Sequence, residues 1–285
     1  MFKRVMVAVV GIPFLLLVLG WAPEWATTIL VAGMCAIGAW ELMRAVAGER
    51  GKPLIPLTVL AAAVVPVCVS AELSIQYADL TAMPQLPVTA LAGVIFVLLA
   101  FALAIHRYDE SQGIPFAAVT AALFAGLVFP LMLSCLLRLR MVPFLGEVLV
   151  FMPLCIAFGS DTFALFAGML CGKHKLAPRV SPKKTVEGAV GGLIGGVIGM
   201  TLMAVIGGMV LGDAFLAPVH VLVFGIVGSA VSQIGDLSFS VIKREFGVKD
   251  YGNLLPGHGG ILDRFDSVTF VAPFVWLALQ IMWVL

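Results

Sequence analysis

The sequence predicts an all-α integral membrane protein, a polytopic helical bundle with about nine transmembrane helices. The first supporting observation is composition: 61% of the residues are hydrophobic and only 12% are charged, whereas soluble chains are about 45–50% apolar and about 25% charged. The second is length, because nine stretches approach the roughly 20 apolar residues that cross a bilayer. The third is that no stretch reads as a strand run, and only helices or closed barrels span bilayers. These observations exclude a soluble protein.

The predicted spans begin with an uncleaved helix. The N-terminus has a basic start and an apolar core, as a signal peptide does, but no small-x-small cleavage site precedes Trp21. The second, third and ninth spans are short. In chain order the predicted spans cover approximately 5–22, 25–41, 54–71, 87–105, 114–137, 148–171, 186–211, 217–235 and 267–285.

The distribution of Lys and Arg orients these helices, because positive residues collect in cytoplasmic loops. With the N-terminus inside, the inside segments hold 15 of the 17 Lys and Arg residues, and the outside segments hold only Arg138 and Arg140. This split predicts a cytoplasmic N-terminus and an external C-terminus. The charge-rich loops 172–185 and 236–266 then face the cytoplasm.

The two halves of the chain differ in character. Residues 1–147 contain ordinary spans with short loops and are predicted to be a scaffold. Within them, Glu41 and Arg44 end the second span three residues apart, which predicts an interfacial ion pair. Residues 148–285 contain an intramembrane aspartate, basic loops and a glycine-dense helix, and are predicted to be the catalytic region.

The sixth span carries Asp161, which costs about 2.5–3.5 kcal/mol at the centre of a membrane helix on insertion scales. We expect it to face protein or a wet cavity and to help bind metal or substrate. The alternative is an internal hydrogen bond with Ser160 or Thr162. The seventh span has small residues at every fourth position, which predicts close helix packing. The two series are Gly188, Gly192 and Gly196, and Gly191, Gly195 and Gly199.

A basic segment precedes the seventh span. Ser181 is predicted to be the helix N-cap and Pro182 the first helical residue. Lys183 and Lys184 would add cations to an already positive helix terminus, which predicts a phosphate site. The alternative is anchoring of the two lysines at the membrane interface. Glu187 lies three residues after Lys184, and the membrane topology gives no reason for a carboxylate at this position.

Asp236 lies at the cytoplasmic end of the eighth span. Ser232, Asp236, Ser240 and Lys243 are spaced by four, four and three residues, so a continuing helix places them on one face. A polar face with one carboxylate and one cation suits a metal–phosphate site. The alternative is a solvated helix end with an internal Asp–Lys pair.

Asp263 and Asp266 flank Arg264 at the start of the last span, on the same side of one helical turn. Mg²⁺ prefers hard oxygen ligands and is commonly bound by one or two carboxylates together with substrate phosphates. With Asp236, this pair predicts a site for one or two divalent ions. The alternative is that the two carboxylates complement the helix dipole.

A glycine-rich turn precedes this pair of aspartates. Gly257, Gly259 and Gly260 permit positive φ angles and close approach of the backbone to a ligand. Consecutive backbone N–H groups that lead into a helix can cradle an anion. His258 can bind a phosphate, act as an acid or base, or cap the turn, and these alternatives stay open.

These motifs together resemble the bacterial phosphatidate cytidylyltransferases, also called CDP-diacylglycerol synthases. The resemblance is carried by two stretches, 161–188 and 240–266. The matching residues of the second stretch are Ser240, Ile242, Lys243, Arg244, Lys249, Asp250, Gly252, Leu255, Pro256, His258, Gly259, Gly260, Ile261, Asp263, Arg264, Phe265 and Asp266. The N-terminal half is similar to the family only in having several hydrophobic helices.

The resemblance implies that CTP and phosphatidic acid give CDP-diacylglycerol and pyrophosphate, with Mg²⁺ required. It also implies a multi-pass homodimer in the bacterial inner membrane, with no nucleic acid as partner. Asp236 and Asp263 would bind metal, Asp266 would be a third ligand or support the first two, and Asp161 would shape the polar cavity. The residues expected to bind phosphates or nucleotide are Lys183, Lys184, Ser181, Ser240, Lys243, Arg244, Lys249, His258, Gly259, Gly260 and Arg264.

Two other functions are weighed against this one. A CTP-dependent lipid kinase of the polyprenol type would share the cytoplasmic loops, CTP and Mg²⁺, but it would transfer the γ-phosphoryl group to an alcohol. A transporter would explain Asp161 and the glycine-rich helix as an ion pathway. Transporters concentrate their charges near the midplane, whereas the charges here lie mostly in predicted cytoplasmic loops.

Overall fold

The computed structural model describes residues 2–77, 87–108, 113–212, 215–254 and 259–284. Within these ranges the chain is mainly helical and includes one two-stranded antiparallel hairpin. The predicted all-α membrane fold is confirmed. The chain divides into two compact units, the first formed by Met1–Gly146 with Phe246–Arg264 and the second by Glu147–Glu245 with Phe265–Leu285.

Eight helical stretches of the described residues are long and apolar enough to cross a membrane. The first predicted span is also helical, from Phe2 to Gly20, but it is not one of these eight, so the count of nine is not confirmed. The eight stretches are Glu24–Val46, Gly48–Tyr77, Val88–His106, Phe116–Arg140, Gly146–Cys171, Val186–Leu211, Pro218–Glu245 and Leu262–Met282.

The helix of the eighth predicted span is longer than expected, because it continues to Glu245 rather than ending near residue 235. The end of an apolar run marks the edge of the hydrocarbon layer and not the end of the helix. Lys, Arg and Glu have good helix propensity, so the backbone stays helical through the charged residues that follow. This extension places Asp236, Ser240 and Lys243 on a continuous helix, as predicted.

The first unit contains the N-terminal helices. In chain order they are α1 Phe2–Gly20, α2 Glu24–Val46, α3 Gly48–Gly51, α4 Ile55–Tyr77, α5 Val88–His106, α6 Phe116–Leu123, α7 Phe129–Leu133 and α8 Cys135–Arg140. A 3₁₀ turn at Lys52–Leu54 joins α3 to α4, and a π turn at Phe124–Val128 joins α6 to α7. The π turn precedes Pro130, which lacks the N–H of a regular helix.

Helix α2 packs against α4, and α4 packs against α5. Small residues let bulky rings enter this core. A side chain at Gly38 would come within 2.8 Å of the Phe129 ring, and one at Gly126 would come within 2.6 Å of the Phe96 ring. The two glycines are therefore explained by packing.

The second unit contains α9 Gly146–Leu149, α10 Met152–Cys171, the strands β1 Lys175–Ala177 and β2 Ser181–Thr185, α11 Val186–Leu211 and α12 Pro218–Glu245. Helix α13, Leu262–Val284, begins in the first unit and continues in the second. Helix α11 packs against both α10 and α12. The hairpin lies between α10 and α11 in the chain.

The glycines of α11 approach two neighbouring helices, and the predicted close packing is confirmed. Gly195 and Gly199 face α10, where a side chain at either position would overlap the backbone of that helix. Gly196 faces α12, where a side chain would come within 2.7 Å of the Gly225 carbonyl oxygen. Small residues on both faces allow one helix to approach two neighbours closely.

Candidate active site

The basic segment 181–185 forms a strand and not the start of a helix, so the prediction of Ser181 as N-cap is wrong. Ser181–Thr185 pairs with Lys175–Ala177 in the antiparallel hairpin. Helix α11 begins at Val186, and its N-cap is Thr185, whose Oγ1 accepts the N–H of Gly188 at 3.0 Å. The fixed φ of Pro182 suits an edge strand as well as a helix start, and the β-branched threonine is a favourable N-cap.

Glu187 holds the hairpin against the first turn of α11. Its carboxylate accepts the backbone N–H of Lys173 at 3.1 Å and that of His174 at 3.2 Å. The Nδ1 atom of His174 lies 2.7 Å from Glu187 Oε1. His174 was not among the predicted functional residues. The signal that pointed to this contact was Glu187 itself, which topology did not explain.

The central contact of the second unit joins the hairpin to α12. Nζ of Lys184 lies 2.5 Å from Oδ2 of Asp236, and each side chain is 26% exposed. The Ser240 hydroxyl donates to Oδ1 of the same carboxylate at 3.3 Å. The structure thus brings together three of the predicted site residues. Asp236 pairs with a lysine from another element.

Asp266 is the most buried of the predicted site carboxylates and is 7% exposed. Its Oδ1 accepts the backbone N–H of Ser267 at 2.8 Å. Asp236 and Asp161 repel this carboxylate electrostatically, whereas Lys243 attracts it. Residues of α10, α12 and α13 within the second unit therefore form one charged cluster.

The structure tests part of the alternative for Asp161, which was an internal hydrogen bond with Ser160 or Thr162. Asp161 is exposed, and its field acts on Asp266. The Ser160 hydroxyl is buried and makes no hydrogen bond with any described residue. The alternative of an internal bond to Ser160 is therefore wrong.

The remaining cations of the predicted site lie on exposed surfaces. Arg244 donates from Nε to the Val180 carbonyl oxygen at 3.0 Å, which attaches the end of α12 to the hairpin turn. Lys183 is exposed on β2, and in the first unit Lys249 and Arg264 are exposed as well. Their placement is compatible with binding of soluble anions.

In the first unit, the backbone before α13 is arranged around Asp263. Oδ2 of Asp263 accepts the N–H of Tyr251 at 2.9 Å and that of Gly260 at 3.0 Å. Gly259 has φ +87°, which confirms the positive φ predicted for this turn. His258 lies outside the described residues. The Gly260 amide, predicted to cradle an anion, donates to a carboxylate of the protein.

Glu41 is the residue that sequence reasoning misjudged most. The predicted ion pair with Arg44 is wrong. Glu41 is fully buried and accepts the backbone N–H groups of Ile261 and Leu262. The Arg44 guanidinium lies 5.2 Å from the centre of the Trp40 ring. A carboxylate in an apolar span was the available signal, because such groups usually have a specific partner.

The predicted magnesium ligands fit the ion in their chemistry. All are aspartates, which supply the hard oxygen atoms that Mg²⁺ prefers. Asp236 and Asp266 belong to the second unit and Asp263 to the first. No group of three or more His, Cys, Asp or Glu side chains in the described part of the chain is arranged to hold a metal ion. The metal site stays a prediction.

Comparison with known proteins gives a consistent result. Residues 2–282 of this chain match the model of a protein family described as "Cytidylyltransferase family". A protein of Rickettsia bellii named phosphatidate cytidylyltransferase is 31% identical over 183 residues, which are 64% of this chain and 79% of that protein. A protein of the same name from Bacillus subtilis is 34% identical over 161 residues, 56% of each chain. One from Staphylococcus saprophyticus is 47% identical over 116 residues, 41% of this chain and 43% of that protein.

The family match covers almost the whole chain, and the relatives carry the family name that the two motif stretches suggested. The resemblance is therefore confirmed, and it extends into the N-terminal half, where the motifs gave no evidence for it. The chain is an integral membrane enzyme that belongs to the cytidylyltransferase family.

Proposed function

We propose that this protein is a phosphatidate cytidylyltransferase, which converts CTP and phosphatidic acid to CDP-diacylglycerol and pyrophosphate in phospholipid biosynthesis. The observation that carries the proposal is the Asp236 carboxylate of the second unit, which contacts Lys184 through one oxygen and Ser240 through the other. It joins the basic hairpin to a helix that is long and apolar enough to cross a membrane. Both elements lie within the region matched to the family.

The reaction needs charge neutralisation more than a strong base. A phosphate oxygen of phosphatidic acid attacks the α-phosphorus of CTP, and the bond from that phosphorus to the bridging oxygen breaks. Pyrophosphate leaves with the electron pair. The attacking phosphate monoester is already a nucleophile. Positioning and electrostatic stabilisation therefore supply most of the rate acceleration, as in phosphoryl transfer generally.

The cations of this chain would bind the phosphates. Lys184 presents its ammonium group beside Asp236 at the end of the hairpin. Lys183 and Arg244 are exposed nearby in the same unit, on β2 and on α12. We assign these side chains, with Lys243 and Lys249, to phosphates of CTP or of the lipid. Asp161 would shape the polar surroundings.

We further propose that the enzyme uses one or two Mg²⁺ ions, with Asp236, Asp263 and Asp266 as ligands. When bound, the metal would neutralise phosphate charge. Aspartate oxygens suit this ion, and Ser240 holds one oxygen of Asp236 in a fixed direction. Because Lys184 occupies the other oxygen, it would exchange partners or share this carboxylate when nucleotide and metal bind.

The membrane placement is proposed on the charge distribution. With 15 of 17 Lys and Arg residues in the segments assigned to the inside, the hairpin and the segment before α13 would face the cytoplasm, where CTP is found. The relatives are bacterial, so we assign the protein to the bacterial inner membrane. A homodimer is proposed from the family resemblance alone.

The test is a detergent-micelle assay with purified protein, phosphatidic acid, Mg²⁺ and CTP labelled with ³²P at the α-phosphate. We expect label in a chloroform-soluble product, dependent on both substrates and abolished by EDTA. A parallel reaction with γ-labelled CTP should release labelled pyrophosphate and leave the lipid unlabelled. Label from γ-CTP in the lipid would instead identify a lipid kinase, and no labelled lipid in either reaction would overturn the proposal.

A further inference from the structure

The first unit contains a buried carboxylate for which no functional role has been assigned. Glu41 lies near the end of α2 and is 0% exposed. Its Oε1 accepts the backbone N–H of Ile261 at 3.2 Å, and its Oε2 accepts that of Leu262 at 3.0 Å. The first N–H groups of a helix have no acceptor within that helix, and negative charge is favourable there. Glu41 thus caps the beginning of α13 from a distant helix.

Two glycines bring the backbone against this carboxylate. Gly252 and Gly260 both lie so close to it that the first carbon of any other side chain would overlap the Glu41 carboxyl group. These glycines stand on either side of residues 255–258, which lie outside the described ranges. Glu41 therefore contacts the described backbone on both sides of that gap.

The same backbone holds Asp263. Its Oδ2 accepts the N–H groups of Tyr251 and Gly260, the neighbours of Gly252 and Ile261. Leu262, directly before Asp263, donates to Glu41. Both backbone N–H groups that orient Asp263 therefore belong to residues that contact Glu41 or are next to one that does. A shift of the Glu41 carboxylate would move the backbone that supports Asp263.

We propose that Glu41 is a positioning residue for the reaction, which fixes the backbone around Tyr251 and Gly260–Leu262 and thereby the direction of the Asp263 carboxylate. The inference rests on the proposed function, because only that function gives Asp263 a role in the chemistry. It assigns part of the catalytic geometry to residues 1–147, which the sequence suggested were scaffold alone.

The test is Glu41→Gln. The amide keeps the size of the side chain and one acceptor oxygen, but it presents an NH₂ group to the second backbone N–H. We expect kcat to fall about 10- to 100-fold, the range found when a group that orients a metal ligand is lost. The KM values for CTP and phosphatidic acid should change less than about twofold, because the substitution would weaken stabilisation of the transition state and leave ground-state binding of the substrates unchanged. Hydrogen exchange should rise in peptides covering 250–252 and 259–264 and stay unchanged elsewhere.

The matched control is Glu72→Gln. Glu72 also accepts a backbone N–H at the start of a neighbouring helix, from Thr89 at 2.7 Å. The same substitution there should raise exchange near Thr89 and leave kcat unchanged. An equal loss of kcat in this control would mean that any weakened helix cap impairs the enzyme, and it would overturn the specific role of Glu41.

Faster exchange at 259–264 with unchanged kcat in Glu41→Gln would show a helix cap without a positioning role and would overturn the proposal. If that variant does not fold, Gly252→Ala is decisive, because it presses a methyl group onto the carboxylate and keeps Glu41 itself. In this variant, faster hydrogen exchange at 259–264 together with a reduced kcat supports the proposal. An unchanged kcat overturns it. If wild-type protein labels no lipid, the positioning role fails with the proposed function, while the exchange response still reports the contact itself.

Discussion

Lys184 of the hairpin pairs with Asp236 of α12, with 2.5 Å between Nζ and Oδ2. Both side chains are about one-quarter exposed, so solvent screens the pair and its contribution to stability is small. The more important consequence is geometric. The pair places a cation and a carboxylate side by side, which is the combination that the proposed nucleotide and metal site would use.

Lys184→Ala should weaken substrate binding more than turnover. A hydrogen bond to a charged group contributes about 1.5–3 kcal/mol, which corresponds to roughly a 10- to 100-fold rise in KM. Steady-state kinetics with CTP and with phosphatidic acid would measure it. Lys175→Ala removes an exposed lysine of the other strand and should leave both KM values unchanged. Unchanged KM values in Lys184→Ala would remove Lys184 from the site.

Asp263→Asn should abolish turnover and leave the protein folded. Asparagine retains an oxygen that can accept the Tyr251 and Gly260 N–H groups, so the local backbone is preserved, but the negative charge is lost. We expect a fall in kcat of at least about 100-fold, the scale of losing one electrostatic contact to a transition state.

The control for Asp263 is Glu245→Gln, which neutralises an exposed carboxylate at the end of α12. Its kcat should match the wild type. Size-exclusion profiles of both variants would establish folding. Near-wild-type turnover of Asp263→Asn at saturating Mg²⁺ would contradict the assignment of this aspartate to the metal.

Thr185→Ala should destabilise the junction of the hairpin and α11. The substitution removes the oxygen that accepts the Gly188 N–H, and loss of an N-cap costs about 1 kcal/mol of unfolding free energy. A lower thermal midpoint in detergent would report this change. Thr201→Ala removes a hydroxyl that donates within α11 to Val197 and should have a smaller effect. Equal midpoints for the two variants would argue against the capping role.

Gly196→Ala should separate α11 from α12. The added methyl group would lie 2.7 Å from the Gly225 carbonyl oxygen and would also overlap Ser229. Overpacking of this kind costs about 1–3 kcal/mol. The control is Gly33→Ala, where no atom lies within 4 Å of the new methyl group, and this variant should be as stable as the wild type. A stable Gly196→Ala protein would mean that the two helices can move apart without cost.

The fold was largely predictable because a bilayer imposes a simple length rule on apolar helices. Eight of the nine predicted spans coincide with helical stretches of the described residues that are long and apolar enough to cross a membrane, and the glycine spacing of α11 predicted its close packing. The hairpin was not found, because Ser181–Thr185 is a short, charged strand without alternating apolar residues. Its pairing with Lys175–Ala177 is a contact that neither segment specifies by itself.

The contacts between the predicted site residues could not be derived from the sequence. Charge in membrane-flanking segments singled out Lys184 and Asp236, yet their pairing depends on the hairpin bringing distant residues together. The contact of Glu41 with Leu262 spans 221 residues of chain. Local spacing favoured Arg44 as the partner of Glu41, because it considers only neighbours on the same helix.

Several contacts between the hairpin segment and the helices α11 and α12 use main-chain atoms of the hairpin segment. Glu187 binds the amides of Lys173 and His174, together with the His174 imidazole, and Arg244 binds the carbonyl of Val180. Every amino acid offers that carbonyl, and every one except proline offers that amide. Substitutions at residues 173 and 180 would therefore leave the hydrogen bonds to Glu187 and Arg244 in place. Related enzymes can vary the surface of this hairpin in size and charge while the lysine at its end keeps its place.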